Sequence, residues 1–514
     1  MVNYEELPTH ILYEKLRAYA LGLKKSPTKA IIQYLIQNRG EGPNPQLYSA
    51  LILYNTSAED GSAPMTRALW DEMRAARIEP TSSNCEDVLK VLSVHPDYLF
   101  RHEVLDYMNE RWFKLSVDAL HDVVAGTLRE RQLEFALDKL EELIEQRDAK
   151  PWIYDMAVYV LVEAGELNEA LRILKLRVAN CLNGPSSSLW HHFLDQASSL
   201  YNHEATEYVW KSQVESGYLI PPSGICENVM ATAARHGDVQ LATDVFRFLG
   251  DRKTVFNHSH YEMLIDAYVA TGDIKTALHI LCVMNDAGVV PSLPSTRSLT
   301  YYMSEEQRRS RWGFKVLYQL AQQKDKKIPR AGINAVIEAS VRGAHFEDAL
   351  EQYKALHAVC KFGPDRHTFN ALLKGAVAND RKDIAMFLAA EMGALKVKPD
   401  SLTYDRLLLI CIADKDCDGA MGYYGDMRAR GWLPRRGTLN ALVKTFALRK
   451  DLRAFKVLQD MVDAGHEVWK LKGWLRDHWE GPQYELDALF GSVDFEKDFD
   501  EDATRPMSIK AMSG

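Results

Sequence analysis

The stretch Arg366-His-Thr-Phe-Asn370-Ala-Leu-Leu is echoed after Pro399-Asp400 by Ser401-Leu-Thr-Tyr-Asp405-Arg-Leu-Leu. It returns after Pro434-Arg435 as Arg436-Gly-Thr-Leu-Asn440-Ala-Leu-Val. The polar residue behind the apolar one therefore recurs every 35 residues, and Asn334, in Ile-Asn-Ala-Val-Ile, stands one residue further off. Independent columns keep the same step: Pro364, Pro399 and Pro434; Glu227 and Glu262; Gly237 and Gly272; Ala242 and Ala277. Met73, Met108, Met284, Met392 and Met427 each stand seven residues before a closing Pro or, once, Leu115. Several columns in one phase mark a repeat array, which grows without a separate core for each domain.

Each unit reads as two helices. In residues 261–292, Tyr261-Glu-Met-Leu-Ile-Asp-Ala-Tyr-Val places apolar side chains at helical spacing. Thr271-Gly272-Asp273 breaks it, because glycine accepts the left-handed conformation that ends a helix and aspartate caps the next. The second helix, from Ile274, is predicted to bury Ala277, Leu278, Leu281 and Met284, and it closes at Gly288 and Pro291. Glu163-Ala-Gly-Glu and Arg342-Gly-Ala-His repeat the turn. A lone hairpin leaves its apolar face in water; stacking covers it, and the small alanine of the second helix permits close approach. The methionine column reads as filler between hairpins.

The period, the aromatic-Asn opening and the closing Pro-Asp resemble the pentatricopeptide repeat family, the organellar RNA-binding type, more than the 34-residue tetratricopeptide family. About thirteen units run from roughly residue 10 to residue 470, well formed from 224 onward and degenerate near 12–44 and 185–222. The resemblance implies an all-α fold, a right-handed α-solenoid superhelix of helix-turn-helix repeats. It also implies single-stranded RNA read one base per repeat, in mitochondria, in RNA stability, processing or translation. Two residues per unit carry base choice in that family: the polar one behind the first-helix apolar residue and the last of the unit. Carried over, Asn334 with Asp365 and Asn370 with Asp400 match a uridine-preferring pair. Asp405 with Arg435, Asn440 with Lys470, and Arg297 with Arg330 match no common pair. Upstream the column holds Ser49 (with Thr81), Glu86, His121, Asp155, Glu227 and Glu262. Glutamates there oppose phosphates.

The 514 residues are 46% apolar and 26% charged, with a net charge of −9. The charge is unevenly placed. Residues 293–470 hold 30 Lys+Arg against 21 Asp+Glu, and residues 1–292 hold 27 against 40. The basic part also contains the matching pairs, so three regions are expected: degenerate acidic repeats over 1–292, basic repeats over 293–470, and a capping helix with an acidic tail over 471–514. Arg308-Arg309-Ser-Arg311, Lys324 to Lys327, Arg381-Lys382, Arg435-Arg436 and Arg449-Lys450 are candidate phosphate contacts. The acidic half suits a protein partner, and the alternative function is a scaffold within a mitochondrial ribosome or a respiratory-complex assembly intermediate. A peptide-binding solenoid remains a third reading.

Catalysis, metal and cofactor are not expected. His203-Glu-Ala-Thr-Glu207 lacks the second histidine of a zinc helix, and no phosphate loop or nucleophile elbow stands out. The seven cysteines form no CxxC pair and read as buried structural thiols. No apolar run reaches the roughly 18 residues of a membrane span. Residues 1–29, with Glu5, Glu6 and Glu14, have the character of neither a signal peptide nor an organelle presequence.

Overall fold

The computed structural model describes residues 4–5, 7–323 and 326–481. The acidic segment 494–502 and Lys324 lie outside them. Among the described residues there are helices and no strands; six hairpins lie within residues 9–214 and six more within residues 258–463, with the helices Ser223–His236 and Val239–Asp251 between them in sequence. Two compact units result: residues up to His236 with Arg247–Leu249, and residues from Gly237 to Phe246 with those from Gly250 onward. Each is a stack of helical hairpins in which first helices pack on first helices of the neighbouring repeat. The change of charge at residue 292 falls inside the second unit.

Local chemistry sets the helix starts. Asp365 and Asp400 cap the helices Arg366–Ala378 and Ser401–Ala413, and Thr368 and Thr403 return the bond to the cap backbone. Asn257 with His260 and Thr81 with Asn84 close the same reciprocal box. Counting five residues on from each cap reaches the polar column: Asp365 to Asn370, Asp400 to Asp405, Arg435 to Asn440. The same count finds two members hidden in the degenerate repeats, Tyr13 after Pro8 and His191 after Ser186.

The turn between the two helices needs one left-handed residue. Gly165, Gly237 and Gly272 supply it, but so do Arg131, Asp380, Lys415 and Lys450. In the Arg342-Gly-Ala-His turn the left-handed residue is Ala344, at φ 59°, and Gly343 keeps a negative φ. The position, not glycine, is what recurs. Extra residues are absorbed without moving the caps. In the repeat from Ser186 the second helix passes into a π turn at Trp210–Val214, which takes up one residue. In the repeat from Pro329 the second helix ends at Lys354 and restarts at Leu356.

Packing follows the columns. All five methionines are at most 3% exposed, and Ala242, Ala277, Ala385 and Ala420 are fully covered between neighbouring helices. Burying a methionine stabilises by roughly 1.5–3 kcal/mol, so this column is a main source of cohesion. Cys85, Cys226, Cys282, Cys360 and Cys411 are buried and unbridged. Burial pushes the Cys85 thiol up to about 12 and those of Cys282 and Cys411 to about 11. The helix Trp469–His478 follows the last hairpin with Leu471 and Leu475 buried, and Trp479 packs edge-on to Phe455.

Candidate functional site

The matching pairs meet in space. The Asn334 amide donates to Asp365 Oδ1 at 3.0 Å, and its oxygen accepts the Thr368 hydroxyl at 2.6 Å. One repeat on, the Asn370 amide donates to Asp400 Oδ1 at 3.2 Å and its oxygen accepts from Thr403 at 2.9 Å. Each asparagine thus ties its own helix to the cap of the next. Only 6% of Asn334 and 5% of Asn370 is exposed. Asparagine has two donor hydrogens and two acceptor positions, so each keeps one N–H and one lone pair for a ligand edge.

The two carboxylates are held ionised. Burial pushes Asp365 up, but bonds from the Thr368 backbone, Asn334 and the Thr368 hydroxyl outweigh it and leave the pKa below the usual value. Asp400 is lowered in the same manner, with Arg366 Nε a further 3.3 Å contact. An ionised carboxylate only accepts hydrogen bonds. Each pair therefore presents a donor beside an acceptor.

A cavity of about 590 Å³ opens at the first pair, lined among others by Leu293, Arg330, Asn334, Phe362, Asp365 and His367. Phe362 is half exposed there. The Arg330 guanidinium lies 5.6 Å from its ring centre and donates to the carbonyls of Phe362 and Gly363. Arg330 thus turns towards the next inter-repeat loop, away from pairing with Arg297. Ring, guanidinium and amide edge together form a slot suited to a flat, polar-edged group. His367 and Phe362 have no place in the sequence reading, because only the stacking of the next repeat, its helix start and the loop before it, brings them to the cavity of Asn334.

The remaining expected pairs differ. Asp405 Oδ1 accepts from the backbone N–H of Arg435 at 3.1 Å, which leaves the arginine side chain exposed. Asn440 and Lys470 share no hydrogen bond among the described residues, and the Lys470 ammonium sits 5.0 Å from the Trp469 ring centre.

Most of the basic clusters are already matched by carboxylates. Arg309 joins Glu305 and Glu306, and Arg311 grips Asp348 with two bonds of 2.8 Å. Arg381 joins Asp383 and Glu347, Lys382 bridges Asp414 and Asp416, and Lys450 meets Glu480. These lie on the second helices, at their starts or in the turns before them, so the clusters mainly hold adjacent hairpins together. Lys374 and Lys444, one helical turn beyond Asn370 and Asn440, are exposed on the face of the column.

In the first unit the column is closed by its own chain. Asp87 takes two bonds from Arg17, at 2.7 and 2.9 Å, and a third from Ser49. Glu86 accepts the Ser116 N–H, His121 accepts the Lys150 N–H at 3.0 Å, and Asp155 receives buried Arg177. Burial raises the neighbouring Asp122 to about 6.

Known proteins share the pattern. A family model described as pentatricopeptide repeat-containing protein matches residues 223–356. An Arabidopsis thaliana pentatricopeptide repeat-containing protein is 39% identical over 62 residues, 12% of this chain and 11% of the relative. A chloroplastic one from the same plant is 23% identical over 336 residues, 65% of this chain and 39% of the relative. The chain thus spans about two fifths or less of the length of these relatives. Among solved structures, the maize pentatricopeptide repeat protein PPR10 is 17% identical with a TM-score of 0.32, covering 90% of this chain and 70% of that one. Yeast Rmd9p in complex with 16nt target RNA is 12% identical with a TM-score of 0.31, covering 93% and 92%. With its 35-residue period, cap-to-column spacing and paired helices, the chain is similar to the pentatricopeptide repeat proteins.

Proposed function

We propose that the chain binds single-stranded RNA through the repeats of its second unit, reading uridine where Asn334 meets Asp365 and Asn370 meets Asp400. The observation that carries this is the twice-built Asn–Asp–Thr network, which fixes a free amide N–H next to an ionised carboxylate. The Watson–Crick edge of uracil offers carbonyl oxygens beside an N–H. It therefore complements a donor next to an acceptor, whereas the N3 lone pair of cytosine would face the carboxylate. Asp405, Arg435, Asn440 and Lys470 extend the contact surface towards the C-terminus. The reading is of a binding protein, not an enzyme, acting on RNA stability, processing or translation in an organelle. We assign the mitochondrion; the chloroplastic label belongs to plant relatives.

A second reading has its own support. The first unit is acidic, and its column residues Glu86, His121 and Asp155 already accept bonds from the Ser116 and Lys150 N–H groups and from Arg177, so that unit suits a protein partner in a larger assembly.

Binding of the full chain to U-rich and purine-rich single strands across a salt series separates the two. Asn334→Ala with Asn370→Ala is expected to cost about 1 kcal/mol, roughly fivefold, per site on the U-rich strand, with little change on the purine strand. Equal losses on both strands would remove the base-reading role. No binding at low salt leaves the scaffold.

A further inference from the structure

The repeat after Asn370 departs from its neighbours. Behind the column residue, the flanking repeats place Ala335, Ala371 and Ala441; this one places Arg406. Arg406 is half buried and reaches back to the helix Arg366–Ala378, where Nη1 donates to the carbonyl oxygen of Asn370. Asp400, Asp405 and Glu338 face it. Asp400 already pairs with Arg366, and Asp405 holds the backbone N–H of Arg435. That second bond fixes the base of the Arg435 side chain and leaves its guanidinium exposed. Burial, and then the positive charge of Arg435, press the Arg406 pKa below its ordinary value. An arginine does not lose its proton in response, so Arg406 remains a cation beside the column.

We propose that Arg406 and Arg435 form a seat for a backbone phosphate of the bound strand, beside the nucleotide whose base Asn370 reads. Guanidinium forks suit this task because two parallel N–H bonds match two phosphate oxygens. Lys374 and Lys444 continue the positive track on either side. The repeat 401–435 thus grips the strand and reads no base, which accounts for an Asp405/Arg435 pair unlike a base-reading one. This inference rests on the RNA reading above.

The test is a salt series on the full chain with Arg406→Gln, Arg435→Gln and both together, using the same U-rich and purine-rich strands. The double variant is expected to weaken both strands alike and to flatten the slope of log affinity against log salt by about 1.4, at roughly 0.7 per lost phosphate contact. The ratio between strands stays as in the wild type. Arg406→Lys, which keeps the charge, retains the slope, and exposed Arg435→Gln carries its share without a folding burden. An unchanged slope overturns the seat while base preference, lost in Asn334→Ala/Asn370→Ala, still upholds the RNA reading. A loss confined to the U-rich strand overturns it too, by making Arg435 a base reader. Tripolyphosphate supplies the second arm, read as a rise in Tm that the double variant lacks. That rise without any RNA binding overturns the strand assignment in favour of a free phosphate ligand.

Discussion

Asn370 uses one donor and one acceptor to hold the cap of the next repeat, so the base reading proposed for it falls on a residue that is also structural. Its partner Asp400 serves three groups: the Thr403 backbone, the Asn370 amide and the Arg366 guanidinium. This has a consequence in acid. The pKa of Asp365 and of Asp400 is depressed in the folded chain, so their stabilising effect is complete above the unfolded value of 3.8 and is lost as pH falls through the folded one. Urea melts between pH 7 and pH 3 should therefore show a smaller acid loss in Asp365→Asn/Asp400→Asn than in the wild type. At neutral pH the same double variant should be less stable by about 1 kcal/mol per site, because asparagine still caps the helix but its hydrogen bonds are no longer charge-assisted. Parallel pH curves for the two proteins would mean the carboxylates contribute nothing through their charge.

At the scale of the element, the turn between paired helices sets the strain. Gly272, at φ 80°, also sits where an added Cβ would come 2.7 Å from the Tyr302 hydroxyl. Gly272→Ala should lower stability by about 1–2 kcal/mol from the left-handed backbone alone. Lys415 occupies the corresponding place at φ 59°. Lys415→Gly should raise stability by roughly 0.5–1 kcal/mol, the left-handed relief less the added freedom of the unfolded chain. Thermal melts of the pair decide it, and a destabilised Lys415→Gly would show that the lysine side chain matters more than the backbone. The first expectation was legible in Thr271-Gly272-Asp273, and the second was not. Nothing about a lysine announces a left-handed residue; only the register relative to the caps does.

Across the molecule, cohesion comes from contacts between successive hairpins, so damage should stay near its source. Met427 is fully buried in the helix Cys417–Ala429. Met427→Ala should cost about 2–5 kcal/mol through lost burial and the cavity left behind. In hydrogen exchange, the loss of protection should centre on that hairpin and its neighbours in the second unit and spare the first. A uniform loss over every hairpin of both units would instead mean that the chain opens all at once. Charge is also divided at this scale: the first unit pairs Asp155 in its column and Asp87 beside it with its own arginines, whereas the second leaves Lys374, Lys444 and Arg435 exposed.

The sequence alone determined the period, the two helices per repeat, and the methionine and alanine columns; which asparagines belong with which aspartates came from the family resemblance laid over that period. All of these are local or strictly periodic, so spacing along the chain is enough to reveal them. Tertiary structure alone decided what each polar group does. Arg311 and Asp348 are 37 residues apart in sequence and paired in space, so a basic cluster that reads as a phosphate contact proves to be a hairpin clasp. Arg406 meets Asn370 across 36 residues, and Phe362 and His367 share a cavity with Asn334 only because successive repeats stack. Charge in a sequence is a count. Whether it is available to a ligand depends on the nearest opposite charge, and in a repeat protein that neighbour is one repeat away.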